Sequence, residues 1–187
     1  MRLLGVFHRR AEKSAAHALY RAIVRQSRLP EFYATHGVPD TPDGRFDLIV
    51  AHTVLVMRRL HRMPSRTRAL SQALFDLMFA DMDQNLREMG VGDLAVGKRI
   101  KAMAKGFYGR LAAYDRALTA ENGDDLKTAL CRNLYRKANF EDGQVAAVAT
   151  YLRREAERLD AEPLDALLAG RLRFDAPAIQ PVEARDA

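Results

Sequence analysis

Between Leu74 and Leu118 the chain reads LFDLMFADMDQNLREMGVGDLAVGKRIKAMAKGFYGRLAAYDRAL, two helical periods broken by a short glycine turn. Phe75, Phe79, Met82, Leu86 and Met89 recur at spacings of four and three, which puts them on one face of a first helix. Asp76, Asp83 and Arg87 fall on another face, with Asp83 four residues before Arg87 as a supporting pair. In the GVGD turn that runs from Gly90 through Gly92, Gly90 stands where a C-terminal cap is wanted and Asp93 where the next helix needs an N-cap. Val96, Ile100, Met103, Phe107, Leu111, Tyr114 and Leu118 then mark the core face of a second helix. Such a stretch folds as an αα-hairpin, and the rest of the chain is expected to be arranged around it.

The back of the second helix carries small residues. Ala102, Gly106, Gly109 and Ala113 share one line opposite the core stripe, and each interior glycine costs a helix roughly 1 kcal/mol relative to alanine. Lys98, Lys105 and Arg116 flank this line on one side, Arg99 and Arg110 on the other, and Lys101 belongs to the same basic surround. Two readings stand: close packing by another helix of this chain, or a shallow basic-rimmed groove that receives a partner helix. The groove reading expects Gly106→Leu to leave folding largely intact and to weaken partner binding.

A chain of 187 residues can build one domain with a real core, and 48% apolar residues exclude a mostly disordered chain. Sparse valine, isoleucine and threonine beside abundant alanine, leucine and arginine lean the composition to helix. The one cysteine, Cys131, has no partner for an intramolecular disulfide and reads as a structural thiol. The net charge of +6 is uneven. Arg2, Arg9, Arg10, Lys13, Arg21, Arg25 and Arg28 face only Glu12, and Arg58, Arg59, Arg62, Arg66 and Arg68 come with no acid among them. This points to an anionic partner (a lipid surface, ribosomal RNA or an acidic protein), against the plainer reading of solvated arginine-rich helix faces. No secretory signal is apparent, and the longest apolar run, Leu48 to Met57, is too short to span a bilayer. The chain therefore reads as soluble and cytoplasmic, with peripheral contact at an inner membrane as a further expectation.

Along the chain, residues 1–13 form a basic N-terminal segment and residues 14–172 one helical domain; the tail of residues 173–187 has no core face from Phe174 onward. Ser14 to Arg28 predicts a first helix, PEFYATHG a short one closed by Gly37, and VPDTPDG a loop. Arg45 to Met63 reads as a helix or, from its β-branched cluster, as a buried strand, and its length decides for helix. Pro64 marks a break with Ser65 as N-cap, Gly123 opens a helix through Lys137, Val145 to Leu159 makes a long one, and PLDALLAG a last turn. The fold class is all-α, an irregular single-domain bundle of about six to eight helices.

The search for chemistry yields little. GDLAVGK at Gly92 to Lys98 has the spacing of a phosphate loop, but Arg99 stands where Ser or Thr would hold magnesium and no strand precedes it. Asp76, Asp81 and Asp83 lack the Glu-x-x-His partners of a helical di-metal site, and Asp81 points away from the other two. Of the five histidines, only His52 and His61 share a helix, too far apart for one metal. No nucleophile is marked, and the second hairpin helix offers glycine and alanine where a DNA-reading helix needs long side chains. No specific DNA binding is expected.

The DMDQNLREMGVGD block of this hairpin, the LPEFY turn and the DGRFD helix entry together resemble the ubiquinol–cytochrome c chaperone family, over roughly Ala18 to Leu152. The resemblance implies an all-helical assembly chaperone, not an enzyme, with no cofactor of its own. Its implied client is newly made cytochrome b, on the way to respiratory complex III. Mitochondrial members work with a small helper subunit close to the ribosomal tunnel exit, so the ribosome or an anionic membrane surface would be further partners. A bacterial member, without the long amino-terminal region of those mitochondrial ones, is the expectation here. With such a client, the small-residue line and its basic surround make Lys98, Lys101, Ala102, Lys105, Gly106, Gly109, Arg110 and Ala113 the expected client-binding surface. The alternative is a basic helical adaptor for RNA or a membrane surface, serving another client.

Overall fold

A computed structural model describes residues 2–120, 122–136 and 138–177, with side chains from Arg10 onward. Its elements are α1 (Arg2–Ser27), α2 (Pro30–Ala34), α3 (Pro42–His61), α4 (Pro64–Glu88), α5 (Asp93–Thr119), α6 (Asp124–Leu130), α7 (Asp142–Ala161) and α8 (Leu164–Leu168). A π-helical turn, Cys131–Tyr135, extends α6, and no strand occurs among the described residues. The all-α reading holds. The first helix is longer than its periodicity suggested, since α1 begins at Arg2 and runs unbroken past position 14.

The hub of the bundle is α3, and this corrects the expectation that the hairpin organises the chain. Fourteen of its 20 residues are buried, and it packs on α1, α4, α5, α7 and the π turn. Phe46, Leu48, Ile49, Val50, Val54, Leu55, Val56 and Leu60 spread apolar groups around its whole circumference, and such a helix is stable only where neighbours cover every side. The hairpin's α4 and α5 have exposed backs, so they form part of the wall.

Local chemistry explains where the helices start. VPDTPDG was expected as loop throughout, yet α3 opens at Pro42, because the Thr41 hydroxyl accepts from the Gly44 N–H at 3.1 Å and proline suits the first helical position. A Cβ at Gly44 would lie 2.1 Å from the Pro39 carbonyl oxygen, so the first turn closes over the loop only without a side chain there. Ser65 is not the N-cap of α4. Met63 occupies that position with Pro64 first in the helix, and the Thr67 hydroxyl donates back to the Leu60 carbonyl at 2.6 Å. α7 opens on a capping box between Glu141 and Gln144.

The stretch from Phe174 was expected as a tail without a core face. Instead, as far as Pro177, it straps across the bundle: Phe174 meets the His52 ring edge-on at 5.1 Å, and the Gln26 side-chain amide donates to the Asp175 carbonyl at 2.7 Å. Arg154 donates to the Ala176 carbonyl at 3.0 Å, and Pro177 is buried. The remainder of that expected tail, residues 178–187, lies outside the described residues.

Candidate functional site

The turn between α4 and α5 is built from backbone hydrogen bonds. Gly90 has φ +80°, its N–H reaches the Arg87 carbonyl at 2.9 Å, and the Val91 N–H reaches Leu86 at 3.1 Å, the paired bonds of a Schellman motif. Gly92, not Asp93, is the N-cap of α5; Asp93 is the first helical residue and is held by Arg87. Arg87 also binds Asp83 at 2.5 Å, so one guanidinium clamps both sides of the turn. Met89, expected on the core face, is exposed. The other acids of the block go separate ways: Asp76 accepts from Gln72, and Asp81 accepts the Tyr20 hydroxyl at 2.7 Å and ties α4 to α1.

On α5, Val96, Phe107 and Tyr114 are buried as the spacing required, and Phe107 sits edge-on to Phe75 and Phe79 of α4. The opposite side carries the expected client-binding residues. Lys98, Lys101, Ala102, Lys105 and Gly109 are exposed, while Gly106 and Ala113 are half-buried. A Cβ on Gly109 would meet no atom within 4 Å, so among the described residues no other helix packs on it.

Gly106 is different. A Cβ there would lie 2.7 Å from a terminal nitrogen of Arg110, whose side chain folds over the glycine. Arg110, expected on the groove rim, is turned inward and pairs with Asp47 at 2.8 Å. The Gly106→Leu substitution expected to be structurally silent therefore collides with a buried ion pair.

Asp47, from the DGRFD entry to α3, is the group that periodicity did not single out. Its side chain is fully buried, and Arg136 approaches it at 2.6 Å from the other side. Arg136 follows the π turn at φ +53°, the one non-glycine residue with positive φ among the described residues. Burial pushes the Asp47 carboxyl up to about 6, against the pull of Arg110 and then Arg136. Tyr114, buried beside this cluster, has its phenol pushed up first by burial and then by the Asp47 charge. The sequence signal was a lone carboxylate between Phe46 and Leu48 in an otherwise apolar run.

A second buried polar set joins α1, α3 and α7. The His52 ring faces the Leu48 carbonyl at 2.9 Å through Nδ1 and the Tyr151 hydroxyl at 2.9 Å through Nε2. The Gln26 amide donates to the Tyr151 oxygen at 2.9 Å. This assigns Nδ1–H as donor and Nε2 as acceptor, and burial pushes the imidazole down to about 4, so it is neutral at pH 7.

The basic run from Arg58 to Arg66 turns out to serve the fold. Arg58 binds Asp115 and Asp160, Arg62 binds Asp160, Arg66 binds Asp165, and Arg59 donates to the Leu159 and Glu162 carbonyls at the end of α7. Other cations remain on the surface. Arg21, Arg25 and Arg28 with His17 line a cleft of about 700 Å³ against Leu77, Ala80 and Asp81 of α4, and Lys98, Lys101 and Lys105 stand on α5.

Comparison with known proteins gives this arrangement relatives. The profile of a family described as ubiquinol-cytochrome C chaperone matches residues 34–174. Two curated relatives carry the name ubiquinol-cytochrome c reductase complex assembly factor 1. The Mus musculus protein is 24% identical over 163 residues, 87% of this chain and 55% of its own length. The Homo sapiens protein is 24% identical over 161 residues, 86% of this chain and 54% of its own. The chain thus spans about half the length of the curated relatives it matches. The crystal structure of the Cbp3 homolog from Brucella abortus matches with a TM-score of 0.82 at 34% identity, over 92% of this chain and 96% of that one.

Proposed function

This chain belongs to the ubiquinol–cytochrome c chaperone family, and from that premise we propose that it is an assembly chaperone of respiratory complex III that binds newly made cytochrome b. It works by binding and release, without catalysis, and holds an apolar client segment until assembly partners take over. The open flank of α5 carries this reading. Ala102 and Gly109 are exposed, and the space above Gly109 is empty to 4 Å, so the backbone of a client helix can approach closely there. Lys98, Lys101 and Lys105 border that flank and keep it solvated between clients. Ala113 continues the line, and Gly106 and Arg110 lie beneath it as support.

The test is affinity capture from membranes of a respiring bacterium that makes complex III, with the eluate probed for cytochrome b. Capture by the wild type and its loss in Gly109→Leu, with thermal stability no lower than that of the wild type, is the expected result. Recovery of cytochrome b by both proteins would keep the client and move its site off α5. Failure of the wild type to retain it would overturn the proposal.

A further inference from the structure

The outermost ridge of α5 combines apolar and cationic groups in a way that water does not reward. Leu94 is 96% exposed and Tyr108 is 58% exposed. Lys98, Lys101 and Lys105 stand exposed between them. These five positions stay within an arc of about 80° over about 21 Å of helix. From Leu94 through Tyr114 the sequence contains no acidic residue. Asp93, just before Leu94, is paired with Arg87, which also holds Asp83, so this trio keeps one net negative charge at the turn, against the three lysines along the ridge. Across the turn, Met89 is 56% exposed and adds a second apolar group at the Leu94 end.

We propose that this ridge docks the protein on an anionic lipid bilayer. The three lysines meet headgroup phosphates, Leu94 and Met89 dip below them into the acyl boundary, and Tyr108 lies at headgroup level with its hydroxyl in water. A nucleic-acid backbone would satisfy the lysines and leave Leu94 and Met89 in water, whereas an anionic bilayer accommodates both. The docking does not depend on which client the chaperone holds.

The chain has no tryptophan, so Leu94→Trp introduces a single fluorescent reporter at a position too exposed to disturb the fold. The full chain is titrated with vesicles of phosphatidylcholine mixed with phosphatidylglycerol, and with phosphatidylcholine alone. The expected result is cosedimentation and a blue shift of the Trp emission with the anionic vesicles only. Replacing Lys98, Lys101 and Lys105 together by Gln lowers partitioning about a hundredfold, and Leu94→Ser lowers it about tenfold. Replacing Arg21, Arg25 and Arg28 by Gln leaves binding largely intact. The proposal is overturned if vesicles are not bound, or if they are bound with unshifted Trp emission. It is equally overturned if the α1 arginines carry the binding, or if an RNA oligonucleotide but not the vesicles is bound through the same lysines.

Discussion

Asp47 and His52 lie five positions apart on α3, both fully buried, and their titrations oppose each other. His52 is held neutral with its pKa lowered to about 4, so the unfolded chain takes up its proton first as pH falls below the ordinary 6.5. Its contribution is present above pH 6.5 and is lost toward pH 4, by about 3 kcal/mol. Asp47 is raised to about 6, so its folded form takes up a proton before the unfolded form does, and stability rises by about 3 kcal/mol as pH falls from 6 to 3.8. In Asp47→Asn only the histidine is left of this pair. Denaturant midpoints from pH 4 to 6.5 should therefore fall more steeply with acid in the variant than in the wild type. Parallel profiles would mean that Arg110 and Arg136 keep Asp47 ionised throughout. The sequence reading passed over Asp47, although it is a carboxylate set between Phe46 and Leu48, and its partners were not legible because Arg110 and Arg136 reach it from other elements.

At the scale of elements, glycine does three different jobs in this chain. Gly90 supplies a positive φ at the end of α4, so Gly90→Ala should cost about 1 kcal/mol from conformation alone, with open space around the new methyl. Gly44 supplies room, because its Cβ would meet a backbone oxygen at 2.1 Å, and Gly44→Ala should cost clearly more since the loop must shift. Equilibrium unfolding of the two variants side by side tests that order, and an equal cost would show that the loop yields freely. Gly106 makes room for the Arg110 side chain. The periodic pattern placed both hairpin helices and the C-terminal glycine at Gly90 correctly, since those features are set within one or two turns. The caps at Thr41 and Met63 escaped it, because proline at the first helical position moves a helix start upstream of the residue that looks like a cap, and Gly92 escaped it because Asp93, the first residue of α5, itself looks like one.

Over the whole molecule, contacts between distant parts of the chain decide what the surface offers. Arg58 meets Asp160 across 102 positions, and the His52–Tyr151 pair spans 99. These pairs draw much of the basic run of α3 and α4 out of play and leave the ridge of α5 and the arginines of α1 as cationic surface. The strap after α8 closes the same side: Phe174→Ala should cost about 2 kcal/mol by uncovering His52, read as a lowered thermal midpoint. An unchanged midpoint would return the strap to the status of a tail. The proposed client flank and membrane ridge share α5, so a segment leaving a bilayer would meet the flank from the side. The sequence by itself determined the helical class, the hairpin and the presence of a small-residue line on α5, because hydrophobic period and glycine chemistry act locally; whether that line is covered was left open. Only the tertiary structure decided that α3 is the hub, that Arg110 turns inward, that Arg58 to Arg66 serve the fold and that the strap is pinned. The reason is physical: burial and ion pairing depend on where helices cross, and a crossing joins residues that no local pattern relates.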